Sequence, residues 1–503
     1  ELHAYIPLSY TYKILLGGDV RRLHRIGKDY SNQAQMNQSP ISRALPFSGQ
    51  AQLNVLEGSF LGSFGRYEIF VIDSLPPIKE ENFSPLKQDY IPSVWFELQE
   101  SRTTLSNNTN LFDSWEDLND RTQKRFGSRK LKAHKREVQQ LANRLVGNER
   151  GQAAKVRSIY YWVQDEMKWN ETYALNSKRL DKVLQNRGGN GTEINLLLLH
   201  LLRNAGLQAA PVLISTVDNG LVRTYASSLN QFNHILVSVR IQGIEVLLDG
   251  LSDVRQLGIL PEVDLTQSGY LLDQQGGRWV PLRSQNRLIR HTYSRFSLNE
   301  GGQLSGKMLV SNHAYSAVLE KERLQEAGNE EQYLRQHVLS GLNQVELVNP
   351  AVNQPQQPEE PLIFSVDLRT DDFVQNAGDV IFVNPLMTKQ VTQNPFPEIR
   401  RTTPMDLTFP LREAHMLGLR LPKGFELAQI PEPIRVVLPN QGGSFTYNVI
   451  SMDSIIHISS TIYLNKTIFL PEEYDAVRNF FEYIVNKHEE DLVLRRVAMK
   501  EEE

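Results

Sequence analysis

Cysteine is missing altogether: none occurs in 503 residues. Disulfides, zinc–thiolate sites, iron–sulfur clusters and thiolate nucleophiles all require a sulfhydryl, so each of these chemistries is excluded. Long apolar runs are also missing. Nothing approaches the ~18 consecutive apolar residues of a membrane-spanning helix; the densest stretch, Leu196 to Leu202, is interrupted by His200. An excess of one charge is the third absence. Fifty-four basic side chains against 58 acidic ones leave a net charge of -4, which gives no bulk electrostatic footprint for nucleic acid or an anionic membrane. The chain opens on Glu1 rather than Met, with which a removed secretion signal and a trimmed start are equally compatible, and an exported location, periplasmic or cell-surface, is an expectation. There is no internal repeat and no low-complexity tract. What remains, 40% apolar and 22% charged residues with 31 Gly and 24 Pro, is globular composition, and at roughly 150 residues per domain it predicts about three modules.

The residue pattern changes twice along the chain. Arg66–Ile72 and Val94–Leu98 alternate β-branched or aromatic residues with polar ones, and Pro76, Pro77, Pro85 and Pro92 punctuate the connections, which predicts an N-terminal β-sandwich. From Trp115 the period becomes helical, with Val138, Leu141 and Leu145, then Val156, Ile159, Tyr160, Val163 and Met167. A Gly-rich loop, Arg187-Gly188-Gly189-Asn190-Gly191, leads into a Leu-rich helix that stops at Ala205-Gly206. Three segments of strand composition follow, Ala209–Ile214, Asn233–Val239 and Ile244–Asp249. A helix on an antiparallel sheet is the α+β arrangement. Beyond about Arg290 the pattern is β-rich again, opening with a hairpin signal at Asn299-Glu300-Gly301-Gly302 and interrupted by a helical stretch near Ala314–Leu339. Asn349–Pro361, with four prolines among Gln and Glu, reads as an exposed linker or long loop, and Pro471–Glu490 as a terminal helix docked on the last sheet.

The order of these features in the middle third closely resembles the transglutaminase-like core of the papain-type cysteine enzymes, over roughly Gly151 to Pro281. Tyr160-Tyr161-Trp162-Val163, the Gly-rich loop, Leu201-Leu202-Arg203, Pro211-Val212-Leu213, Phe232-Asn233-His234 and Leu247-Leu248-Asp249-Gly250 carry the likeness. In that family a Cys opens the Leu-rich helix, a His starts a following strand and an Asp ends the next. The helix N-terminus lowers the thiol pKa, the imidazole pairs with the thiolate, and the carboxylate orients the imidazole. Carried over position by position, the nucleophile falls on Gly191, and His234 and Asp249 match the other two. Asp73–Leu98 resembles the bacterial domain of unknown function that commonly precedes such cores. Asn394-Pro395-Phe396 with Arg400–Asp406 resembles their C-terminal companion. The resemblance therefore implies a multidomain α+β protein: a β-sandwich over residues 1–125, a transglutaminase-like core over 126–289, and a β-rich sandwich with helices over 290–503.

Two readings of the site stay open on sequence. His234 and Asp249 are a satisfied polar pair in a cleft without a nucleophile, and the protein is a binding or scaffold module for a peptide, protein or glycan. Alternatively His234, oriented by Asp249, activates water or the hydroxyl of Thr192 in a hydrolase, protease or amidase; Thr192 reads more naturally as the cap or first-turn residue of its helix. No cofactor is implied, since the Gly-rich loop lacks the Lys and spacing of a phosphate loop. No metal site is implied either, because His488-Glu489-Glu490 lacks the second His of a zinc motif. The run Arg21-Arg22-Leu23-His24-Arg25 reads as a solvated loop, and Glu501-Glu502-Glu503 as a solvated tail.

Overall fold

The computed structural model describes residues 2–7, 10–18, 23–30, 65–72, 81–84, 89, 91–101, 114–127, 135–176, 180–251, 256–283, 286–340, 342, 345–353, 355, 357–386, 391–452 and 454–497. Pro76, Pro77, Pro85, Arg21, Arg22 and the Glu501–Glu503 end lie outside them.

The N-terminal part holds two small antiparallel sheets. Strand β4 (Gly65–Ile72) lies between β1 (Leu2–Pro7) and β3 (Leu23–Tyr30), while β2 (Tyr10–Gly17) pairs with β5 (Ser93–Ser101). Phe70 and Phe96 meet edge to face, with ring centroids 6.0 Å apart. The expected basic loop is in part a strand: Arg25, on β3, grips the fully buried Glu68 with two hydrogen bonds of 2.9 Å, because a buried carboxylate must be paired.

The core comprises helices α1 (Trp115–Gly127), α2 (Lys135–Val146), α3 (Gln152–Glu166), α4 (Leu180–Asn186) and α5 (Gly191–Asn204) with a five-stranded sheet. Its strands are β6 (Ala209–Ile214), β7 (His234–Ile241), β8 (Ile244–Leu248), β9 (Ser268–Leu271) and β10 (Arg278–Pro281), in the order β8-β7-β6-β9-β10 and antiparallel throughout. Ile194, Leu197, Leu198, Leu199, Leu201 and Leu202 of α5 are all fully buried. A helix apolar on every side belongs in the middle of a domain, and α5 packs between the other helices and the sheet. Trp115, Leu118 and Phe126 of α1 belong to the same apolar cluster. Position 125/126, the expected boundary, falls within this helix.

The C-terminal part is built on an eight-stranded sheet. Its strands are β11 (Leu288–Leu298), β12 (Leu304–Ala314), β13 (Val345–Asn353), β14 (Leu362–Thr370), β15 (Leu411–Arg420), β16 (Ile434–Val437), β17 (Gly443–Met452) and β18 (Ile455–Leu464). They run in the order β13-β14-β12-β11-β15-β18-β17-β16. One face buries Phe296, Met308, Phe364, Leu419, Phe445 and Ile458 against helix α7 (Tyr474–Glu489) and a smaller sheet that includes Val380–Val383 and Leu492–Arg496. Helix α6 (Tyr315–Ala327) follows β12 directly. The expected linker over Asn349–Pro361 is a strand as far as Asn353. Pro350 is tolerated because β13 is an edge strand and its register shifts between Val348 and Ala351, the two places where a missing N–H costs least.

The N- and C-terminal signature segments meet each other. Arg401, with its side chain 2% exposed, donates to Asn82 O (2.6 Å), Ser84 Oγ (3.0 Å) and Thr403 O (3.0 Å) and pairs with Glu81 at 3.3 Å. Phe83 packs on Phe396 with centroids 5.4 Å apart.

Candidate active site and its vacant position

The loop before α5 is shaped by close backbone approach. Lys168–Trp169 and Gly188–Gly189 form a short parallel bridge. A Cβ at Gly188 would lie 2.3 Å from Lys168 O, a distance no side chain tolerates. The helix is then capped by Asn190 rather than Thr192: Asn190 Oδ1 accepts the Glu193 N–H (2.9 Å), and Glu193 Oε2 accepts the Asn190 N–H (3.0 Å). This reciprocal box satisfies two of the donors that every helix start leaves over. Asn190 Nδ2 also donates to Asn176 O (2.9 Å), and Gly191 N–H donates to Thr172 O (3.0 Å). The segment from Asn170 to Asn176 is thus sewn onto the helix start.

His234 is the first residue of β7, and Asp249 directly follows β8, its antiparallel neighbour. That pairing brings His234 Nε2 to 3.5 Å from Asp249 Oδ2, with both side chains no more than 1% exposed. Asn195 fills the angle between them. Its Nδ2 donates to Asp249 Oδ1 (2.7 Å) and Ile235 O (2.8 Å) and lies 3.3 Å from His234 Nε2, while its Oδ1 accepts the Gly250 N–H (2.8 Å). Tyr160 donates its hydroxyl to Asp249 O (3.0 Å), and the Tyr173 ring stands edge-on to the imidazole at 4.9 Å. Burial pushes the Asp249 carboxyl up, but the adjacent His234, the Asn195 amide and the nearby Asp264 outweigh it and hold the group below its ordinary range.

Gly191 sits against the other side of the imidazole. A Cβ there would lie 2.6 Å from His234 Cε1 and 2.7 Å from Nδ1, and Nδ1 has no hydrogen-bond partner. The imidazole therefore offers one nitrogen to a carboxylate and the other to a position with no side chain. Gly191, His234 and Asp249 are brought together. Thr192, also fully buried, is not hydrogen-bonded to His234, since its Oγ1 has no partner. Sequence reasoning missed Asn195 and Asp264. Asn195 lies four residues after Gly191 on the same helix face, a polar residue at the head of a Leu run, and that was its signal.

His234, Asp249 and Asp264 also place one nitrogen and two carboxylate oxygens within 4.8 Å of one another. The amide NH2 of Asn195 donates to Asp249 Oδ1 and borders the imidazole nitrogen, so it orients both groups.

Residues 139–282 match the transglutaminase-like superfamily, and residues 379–494 match a domain of unknown function with a solved structure, DUF3858. No curated protein matches the chain. Among solved structures, a "putative protease" from Parabacteroides distasonis is 14% identical with a TM-score of 0.55, over 98% of this chain and 71% of that one; at this identity the likeness speaks to the fold alone. A "putative cysteine protease" from Cytophaga hutchinsonii is 13% identical over 49% of this chain and 73% of that one, and its TM-score of 0.21 carries no argument. The chain is multidomain and strand-rich, with a transglutaminase-like core of papain-like α+β fold that contains no cysteine and is followed by a DUF3858 domain.

Proposed function

We propose that this protein does no acyl-transfer chemistry and serves as a binding or scaffold module for a peptide, protein or glycan. The observation that carries the reading is Gly191, which faces His234 Nδ1 with no side chain and no room for one. A second group is committed as well. In acyl-transfer sites the backbone N–H of the nucleophile commonly helps to bind the oxyanion, and the Gly191 N–H is spent on Thr172 O. His234, Asn195 and Asp249 remain as a buried network in which the Asn195 amide ties α5 to the ends of β7 and β8.

One observation favours the hydrolase reading. The unpartnered Nδ1, with Nε2 turned to a carboxylate, is the arrangement of a general base. Against it stands the complete burial of His234 and Thr192. Turnover of a panel of peptide, amide and ester substrates by the full chain and by His234→Ala separates the two. No turnover by either protein is expected; turnover that His234→Ala abolishes overturns the proposal.

A further inference from the structure

The eight-stranded sheet buries one face, and the strand registers reveal an unusual composition on the other. Arg295 stands opposite Lys307 on one side and beside Gly418 on the other; Gly418 pairs with His457, and His457 with Ile450. This is one row across five strands, β12-β11-β15-β18-β17, which spans about 19 Å at ~4.8 Å per strand spacing. The adjacent row on the same face is Leu309, Tyr293, Met416, Ser459 and Asn448. Tyr293, Met416 and Ile450 are 42%, 44% and 58% exposed. The two rows enclose a shallow groove of roughly 590 Å³. Gly418 is its notch, and packing does not require glycine there, because the nearest atom to an added Cβ would be 3.9 Å away.

The charges on this face are one-sided. The outward positions of β11, β12, β15, β16, β17 and β18 carry Arg295, Lys307, Arg412, Arg420 and Arg435 and no carboxylate. The first acid is Asp367 on β14, opposite Lys307, and it forms no ion pair with it. Among the described residues neither the Arg295 nor the Lys307 side chain makes a hydrogen bond or ion pair. Like charges directly opposite on paired strands destabilise a sheet, so the fold gains nothing from this pair, and an anion lying between them would relieve it. The net charge of -4 conceals this patch because the five cations are scattered between positions 295 and 435.

We propose that this face binds an acidic polysaccharide, a chain of carboxylated sugars laid across the strands. Its carboxylates sit between Arg295 and Lys307, its apolar sugar faces lie on Tyr293 and Met416, and its hydroxyls meet Ser459 and Asn448. A single exposed aromatic ring suits a sugar face better than a nucleic-acid strand, which binds through successive stacking platforms. An acidic peptide draws its affinity from a sheet edge, where backbone groups are free, and the groove lies in the middle of a sheet. The proposal is independent of whether the core is catalytic.

The test uses the full chain in native gels cast with polygalacturonate, with dextran as the neutral control, and calorimetry with oligogalacturonate and with a single-stranded oligonucleotide of similar charge. Retardation by polygalacturonate and not by dextran is expected, weakening as salt shortens the screening length. Lys307→Glu removes one charged contact and sets an acid opposite Arg295. Binding should weaken at least ~10-fold, while the melting temperature changes little, since the attraction gained opposite Arg295 is offset by the repulsion introduced opposite Asp367. Three results would each overturn the proposal: no retardation, retardation that Lys307→Glu leaves intact, or tighter binding of the oligonucleotide than of the oligouronide. Lys307→Gln, which sets no acid opposite Asp367, should weaken binding in the same direction, and binding that it leaves intact would overturn the proposal as well.

Discussion

Gly191→Ala is the smallest change that tests whether the vacant position is truly closed. The new methyl carbon would sit 2.6 Å from His234 Cε1 and 2.7 Å from Nδ1, against an ordinary separation of about 3.5–4.0 Å. The imidazole would have to retreat by about 1 Å, and the Tyr173 ring at 4.9 Å and Asp249 at 3.5 Å stand in its way. Overpacking a core in this manner costs about 1–3 kcal/mol. Alanine returns part of that through helix propensity, up to about 1 kcal/mol in a helix interior and less in the first turn. A net loss of about 1–2 kcal/mol follows, or roughly 2–8 °C in melting temperature for a domain of this size. Four of the five tryptophans, Trp115, Trp162, Trp169 and Trp279, lie in the core, so thermal unfolding followed by tryptophan fluorescence reports on the right domain. Combined with His234→Ala, which removes the clashing ring, Gly191→Ala should cost little, giving a coupling of about 1 kcal/mol or more in a double-mutant cycle. An alanine variant as stable as the parent, or costs that simply add, would refute the placement of Gly191 against the imidazole.

The vacant triad was legible in sequence because its three positions are tied to local landmarks: a Gly-rich loop before a Leu run, an aromatic-Asn lead-in to a strand, and an acid at a strand end. Asn195 lacks such a landmark. An amide in an apolar helix shows only that something polar is nearby, and its partners Asp249 and Gly250 lie more than fifty residues away. Strand alternation likewise gives the two faces of a strand but not its neighbour. The parallel pairing of β11 with β15 joins Leu288 to Leu411 across a helix and several strands, and no local pattern announces it. That pairing gathers Arg295, Arg412 and Arg420 onto one surface. The prolines of Asn349–Pro361 misled for a different reason: they mark an absence of donors, which an edge strand tolerates as readily as a loop does.

Three further outcomes test other parts of the structure. Asn195→Ala leaves the Gly250 N–H, the Ile235 carbonyl and one Asp249 oxygen without partners at a fully buried point, so urea unfolding should show a loss of about 2–4 kcal/mol; a loss below about 1 kcal/mol would mean that water or a shift of the backbone replaces the amide. Arg401→Ala removes the guanidinium that joins Glu81, Asn82 and Ser84 to the C-terminal domain and strands Glu81, which is 9% exposed, without its cation; limited proteolysis should cut near residues 81–84 at least several-fold faster, and an unchanged digestion pattern would show that the clasp is redundant. The last outcome concerns pH. His200, buried in α5, is held down to about 3 by burial and then by the positive charge of Arg203, against the pull of a hydrogen bond with the Phe126 backbone. Its folded value lies below the unfolded value of about 6.5, so below pH 6.5 the unfolded chain binds the extra proton, and stability falls as pH drops from about 6.5 towards 3. At pH 5 the loss amounts to about 2 kcal/mol relative to pH 7.5. Asp249, whose carboxyl is held below its ordinary value, contributes to acid sensitivity only below about pH 4, which leaves pH 4.5–6.5 as the window in which His200 acts. Unfolding of the core, followed through its tryptophans, should therefore lose stability across that window in the parent. In His200→Leu, which cannot take up the proton, the curve should be nearly flat there even if the variant is less stable overall. A slope that His200→Leu leaves unchanged would place the titrating group elsewhere.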